Sequence, residues 1–457
     1  MISRRHFMQA IAVAAATPSS VLAQARANGA NGMGKLKRDP NGVIDLPEGF
    51  SYRIIARRGE QMDDGLLVPA LPDGMAAFPA GDGTIRIVCN HECSPAWPRA
   101  GAFGPELQLL DRVDAGRIYD AGNGRTPGNG GTTTIHYDPT TGERLGMHLS
   151  LAGTEINCAG GAMPWGSWLT CEESFSDPGT SFERGRVVQR EKRHGYIFEV
   201  PADAEGLVDP EPLTAMGRFE HEAAAADPAT GIIYMTEDRH RSLFYRFIPN
   251  QPGKLLEGGR LQALAIKDQA GFDSRNWGEQ SVRPGIWMDT TWIDLEDPDV
   301  DVNDLRLRGH SLGAAVFARG EGLCYANGDL AFTCTIGGPD RLGQVFLYRP
   351  STAEGSPAEA GAPGQLRLIA ESRADSVLRN GDNLTMSAWG DLLICEDTAD
   401  HCGIVGVRMD GTMYPFADNA YTRAELAGIC FAPDGQTLFV NLQQNGMTLA
   451  ITGPWPG

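Results

Sequence analysis

Six times along this chain, a run of apolar and β-branched residues stops at a polar end: "IRIVCNHE" at 85–92, "WLTCEES" at 168–174, "IIYMTEDR" at 232–239, "LAFTCTIG" at 330–337, "LLICEDT" at 392–398 and "LFVNLQ" at 438–443. Most follow a turn signal of the "DGT", "WGS", "ATG" or "PDGQ" kind, the punctuation expected before a short strand. Further strand-like segments come after several of them, such as "TIHYDP" at 134–139, "GYIFEV" at 195–200, "LFYRFIP" at 243–249, "QVFLYRP" at 344–350 and "GIVGVRM" at 403–409. Short strands at regular spacing, with almost no long helical periodicity, point to an all-β repeat architecture. The expectation is a six-bladed β-propeller occupying residues 45–457 as a single domain, closed by strands from both termini. A chain of 457 residues is long enough for two or three domains, but closed all-β folds often reach this size as one unit.

That fold gives the polar ends a shared destination. Every blade of a propeller faces one channel, so equivalent strand ends converge although they are far apart in sequence. The ends Cys89-Asn90-His91-Glu92, Cys171-Glu172-Glu173, Thr236-Glu237-Asp238 and Cys395-Glu396-Asp397 would meet near the axis. Carboxylates packed together raise one another's pKa, and hard multivalent cations are the simplest remedy. One acidic pair alone reads as a solvated strand end; four at one position of a repeat favour a metal cluster in the channel. The formal net charge of −19 fits a surplus of carboxylates and argues against nucleic acid as a partner.

Residues 1–25 read as a twin-arginine export signal, with Arg4, Arg5 and Phe7, a short apolar stretch, and a small-residue cleavage site at Ala23-Gln24-Ala25. A flexible segment is expected over 26–44. No other stretch approaches the length of a membrane span, so the mature protein is expected to be periplasmic or extracellular without a stable membrane anchor. The nine cysteines follow neither a disulfide framework nor a zinc spacing, and Cys89, Cys171, Cys334 and Cys395 read as small buried hydrophobes within strands.

Five long motifs carry a resemblance: "GTEINCAGGAMPWGSWLTCEES" (153–174), "GRFEHEAAAADPATGIIYMTED" (217–238), "FARGEG" (317–322), "DNLTMSAWGDLLICED" (382–397) and "AELAGICFAPDGQTLFVNLQ" (424–443). In this order, from about residue 45 to the C-terminal "ITGPW", they resemble the PhoX-type alkaline phosphatases. The resemblance implies export by the twin-arginine machinery, a six-bladed propeller, and a cluster of iron (Fe3+) and calcium that hydrolyses phosphate esters. It makes Cys158 the candidate iron ligand, with Glu173, Glu222 and Glu321 as metal carboxylates and Asp382, Asp397 and Glu425 next in order. Glu172, Glu396, Asn157, Asn383 and His221 stand either as ligands or as residues that orient them. Arg319, two residues before Glu321, matches a phosphate-contacting arginine, and its planar, always charged fork suits that task. Arg341 and Arg239 are weaker candidates for a second phosphate contact.

The implied reaction is metal-assisted hydrolysis of a small-molecule phosphomonoester by a monomeric enzyme, with Arg319, Cys158 and Glu321 at its centre. The pattern "HExxH" is absent, and "NGRTPGNGG" at 123–131 lacks the Gly-Lys ending of a phosphate loop. Two alternatives stand beside this reading: another calcium-dependent hydrolase on the same propeller (an esterase, lactonase or phosphodiesterase), or a non-catalytic calcium-binding propeller. Residues 250–310 mix strand-like and helical pieces, and the acidic run within them reads as a solvated loop rather than a peripheral calcium site.

Overall fold

The structure is a computed structural model describing residues 32–97 and 99–456, so the export signal expected at 1–25 lies outside the described residues. Six blades surround one axis. Blade 1 comprises the antiparallel strands Pro72–Pro79, Ile85–His91, Gly131–Asp138 and Glu143–Ala152. Blade 2 has Asn157–Ala162, Ser167–Glu172 and Ile197–Pro201, and blade 3 has His221–Ala226, Ile233–Glu237, Tyr245–Pro249 and Gly259–Ile266. Blade 4 runs through Gly320–Ala326, Asp329–Cys334, Gln344–Arg349 and Gln365–Glu371, and blade 5 through Gly381–Met386, Leu392–Glu396, Gly403–Val407 and Met413–Asn419. Blade 6 joins Leu426–Phe431, Thr437–Leu442 and Met447–Thr452 to Ser51–Arg57 from the other end of the chain. The six repeated runs of the sequence are the second strands of the six blades.

Hydrogen bonds from one blade to the carbonyls or amides of the next close the ring. Asn90 Nδ2 donates to Cys158 O and Ala159 O, Thr236 Oγ1 to Glu321 O, and Thr333 Oγ1 to Asp382 O. Asn383 Oδ1 accepts from Gly428 N, and Asn441 Nδ2 donates to Asp73 O. The inner strands pass so close that a Cβ on Gly161 would lie 1.8 Å from Ala224 O, so blades 2 and 3 require glycine there.

The segment expected to be flexible contributes structure within its described part. Leu36–Lys37 pairs with Ile44–Pro47, which in turn extends the outer edge of blade 5 through Ile44 opposite Asn419. Outer edges expose unpaired backbone groups, and a short added strand covers this one. Within 250–310 a strand, Trp287–Asp294, bridges the outer strands of blades 3 and 4, and one helix, Leu305–Ser311, follows the acidic run.

Apolar side chains fill the wedges between blades. Phe244 of blade 3 stacks on Phe332 of blade 4 with centroids 4.5 Å apart, and Tyr137 of blade 1 meets Phe439 of blade 6 edge-on at 5.2 Å. Phe439 is fully buried between blade 1 and blade 6, the blade that pairs Ser51–Arg57 with Met447–Thr452. Phe439→Ala should therefore lower unfolding stability by about 3–5 kcal/mol, read from the shift of the urea midpoint at constant slope.

Candidate metal centre

Each inner strand carries a register shift at the same place: Pro72/Met75, Asn157/Gly160, His221/Ala224, Gly320/Leu323, Gly381/Leu384 and Ala427/Cys430. A bulge of this kind re-aims the side chain within it. In five blades the residue that follows the first of each pair is Asp73, Cys158, Glu222, Glu321 or Asp382, all 1–3% exposed. In blade 6 that position is Gly428, with φ of 62° and Asp73 O only 2.0 Å from where a Cβ would sit. Blade 6 instead supplies Glu425 from just before its inner strand.

The bulged residues meet the ends of the second strands. One donor atom each from Cys158, Glu173 and Glu222 lie within 4.8 Å of one another, as do those of Glu222, Asp238 and Glu321, and those of Asp382, Asp397 and Glu425. Glu222 belongs to two groups, so these adjoin. All seven residues expected to hold metal thus fall into three clusters, and Asp238 joins them.

The paired acids at the strand ends divide their work. The first of each pair bonds to backbone. Glu172 accepts from the amides of Glu155, Gly195 and Tyr196; Glu396 accepts from those of Arg379 and Gly403. Glu237 accepts from Tyr245 Oη at 2.8 Å and from Leu243 N at 3.4 Å, and burial raises its pKa to about 7. The second of each pair, Glu173, Asp238 or Asp397, turns into the cluster. Asn383 Nδ2 donates to Asp382 Oδ1 at 3.0 Å and so orients that carboxylate. Asn157 binds Gly131 N and Thr154 Oγ1, outside the clusters. His221 also stays out: its Nε2 faces Gly217 O, and burial pushes its pKa down to about 3, so the ring is neutral.

The Cys158 thiol is buried among carbonyls, with Sγ 3.3 Å from His221 O. Burial, then the charges of Glu222 and Glu173, hold its pKa well above the ordinary thiol value. Two like charges 4 Å apart repel by about 4 kcal/mol at an effective dielectric of 20, so this assembly is stable as anions only around cations. Sulfur with carboxylates in one group suits a transition metal, while the all-oxygen group Asp382, Asp397 and Glu425 suits calcium. The donor chemistry therefore fits both metals.

Arg319 lies beside the two joined groups. Its Nε and Nη2 grip Asp238 Oδ1 and Oδ2 at 2.5 and 2.6 Å, and Nη2 reaches Glu321 Oε1 at 3.0 Å. Its φ of 57° is left-handed, a conformation that costs a side-chain-bearing residue about 1–3 kcal/mol and recurs at functional sites. Arg341 is outside all three clusters, exposed and stacked on Trp277. Arg239 pairs with Glu220.

The family model described as alkaline phosphatase PhoX matches residues 31–446. The chain belongs to the PhoX alkaline phosphatase family. Among solved structures, Pseudomonas fluorescens PhoX in complex with vanadate, a transition state analogue, is 19% identical with a TM-score of 0.66, covering 90% of this chain and 96% of that one. This PhoX structure confirms the propeller fold. A periplasmic gluconolactonase from Pseudomonas aeruginosa is 13% identical with a TM-score of 0.42, covering 89% of this chain and 92% of that one. No curated protein matches the chain.

One member of the clusters, Asp238, and one acid near them, Asp73, escaped sequence reasoning. Asp73 receives Gln443 Nε2 at 2.8 Å, and its charge raises the pKa of Cys158 after burial, Glu222, Glu173 and Cys171. Its signal is positional: it occupies in "PDGMA" the place that Cys158 holds in "NCAGG". Asp238 is the second acid of a pair already noticed, but only the fold shows that the second acid is the one facing inward.

Behind the Glu172 carboxylate, His194 sits fully buried with Nδ1 2.7 Å from Glu172 and Nε2 3.2 Å from Asp120. Burial opposes its charge, but Glu172 and Glu155 outweigh that and raise its pKa to about 10. From pH 6.5 to 10 the native state holds a proton that the unfolded chain has lost. The contribution is complete below the unfolded value and is lost as pH rises through the folded one. Stability should fall across that window by up to about 1.4 kcal/mol per pH unit, a slope missing from His194→Gln in denaturant titrations at stepped pH.

Proposed function

We propose that this PhoX-family chain is an exported phosphomonoesterase that works at an iron and calcium cluster. The observation that carries the reading is one buried assembly in which a cysteine group and a carboxylate group share Glu222, with a bidentately held arginine beside them. Cys158, Glu173 and Glu222 would hold iron, Glu321 and Asp238 would complete the adjoining group, and Asp382, Asp397 and Glu425 would hold calcium. When bound, the cations would neutralise phosphoryl oxygens and lower the pKa of an attacking water.

The chain's own residues do the positioning. Asp238 fixes the guanidinium plane of Arg319 by two N–H bonds, so the arginine meets phosphoryl oxygens with its orientation already set. Glu321 ties that arginine to the cluster. A purely structural calcium site needs neither a thiolate nor such a fork, and this favours a phosphatase over the calcium-only alternatives. The exported location, by way of the twin-arginine machinery, and a monomeric state belong to the same proposal.

The test is elemental analysis of protein exported with its own signal, run beside p-nitrophenyl phosphate hydrolysis before and after prolonged chelation. Iron and calcium should be bound together, with activity lost on chelation and iron lost in Cys158→Ala. Arg319→Lys, which keeps charge but not the fork, should retain metal and lower kcat/KM about 100-fold. Calcium without iron and no phosphatase activity would refute the proposal.

A further inference from the structure

A cationic, aromatic surface lies beside the donor clusters and is not used by them. Residues 273–285 leave the outer part of the propeller and place Trp277 against the blade 4 mouth, where its Nε1 donates to Ile336 O at 2.7 Å. Two guanidinium groups lie over this ring, that of Arg275 at 4.3 Å and that of Arg341 at 4.5 Å. His240 approaches the same ring edge-on at 6.2 Å. The loops are tied together: Arg275 Nη1 donates to His240 O, and Gly338 N donates to Arg275 O.

The two arginines differ. Arg275 is neutralised by Asp273, through contacts of 2.8 and 2.5 Å, and serves as a staple for its own loop. Arg341 has no carboxylate within ion-pair distance among the described residues, although its backbone is held in a left-handed conformation with φ of 56°. Asn380 secures that backbone. Its Nδ2 donates to Arg341 O and Thr335 O, its carbonyl accepts from Asp397 N, and Thr335 N donates to Arg319 O. One short hydrogen-bonded path thus links Arg341 to both the phosphate-facing arginine and the all-oxygen group. The His240 ring lies within the fields of Arg319, Asp238, Arg341 and Arg239, three cations and one carboxylate.

We infer that Arg341, laid on Trp277 with His240 beside it, forms a second anion position that receives a phosphate carried on the leaving group. This rests on the phosphatase reading and narrows its substrate class to bisphosphorylated small molecules. A guanidinium stacked on an indole has lost much of its rotamer freedom but keeps its N–H edge for an incoming oxyanion. In the reaction, the water oxygen forms the new P–O bond and the ester P–O bond breaks with its electron pair on the leaving oxygen. That oxygen ends with a proton from water, and the second phosphate leaves unchanged.

The experiment compares kcat/KM for propyl phosphate and for propane-1,3-diyl bisphosphate, two alkyl esters that differ in the second phosphate. The metal-loaded full protein should prefer the bisphosphate by about tenfold, the value of one charge-assisted contact. Arg341→Ala should abolish that preference through KM, and Arg341→Lys should restore part of it. A preference unchanged in Arg341→Ala, or an equal loss on both substrates, would overturn the second position. Should the wild-type protein hydrolyse neither ester, the phosphatase reading itself fails. Calorimetry with the bisphosphate then decides the anion position: binding weakened about tenfold in Arg341→Ala supports it, and equal binding overturns it.

Discussion

Buried carboxylates cannot be gathered on one axis and left ionised without positive charge among them, and the structure is arranged around that constraint. Glu222, Glu321 and Asp382 are almost wholly buried, each aimed inward by a bulge that recurs at one place in every inner strand. Cys158 takes the corresponding place in blade 2, which brings a soft donor to a hard-donor ring. Remove the cations and the thiol is driven far up in pKa by burial and by the carboxylates facing it. The propeller therefore supplies donors, and metal supplies the charge balance that makes their convergence stable.

Around this centre a second layer of ionic contacts holds the geometry. The leading acids of the strand-end pairs, Glu172 and Glu396, each accept from two or more backbone amides, so they fix the exits of their strands while the following residues turn inward. Arg319 is held in the same manner by Asp238, and Asn383 orients Asp382 while bonding to blade 6 through Gly428 N. Residues adjacent in sequence thus have opposite duties. Alternation of side chains along a strand is the cause, since neighbours point to opposite faces.

Much of this was legible in the chain. The six strand runs became the second strands of the six blades, and Cys158, Glu173, Glu222, Glu321, Asp382, Asp397 and Glu425 lie in the three donor groups, whereas His221 and Asn157 do not. The place of Asp73 was not legible, because nothing in "PDGMA" sets this acid apart until its strand is aligned with that of Cys158. Nor could sequence decide between Glu172 and Glu173, or foresee that the segment before residue 45 adds a strand to blade 5. Each of these depends on a pairing partner hundreds of residues away or on the face to which a bulge turns a side chain.

The amino-acid sequence by itself determined that the chain is a closed all-β repeat with acidic strand ends, because strand propensity and turn chemistry are local properties written in short windows. It also carried the family, through long motifs in fixed order. Tertiary structure alone decided which acid of each pair faces the channel, that Glu222 is shared by two groups, and that Trp277 and Arg341 meet beside the cluster. Those outcomes follow from ring closure, which brings acids of neighbouring blades within 4.8 Å of one another and has no counterpart in any local stretch of sequence.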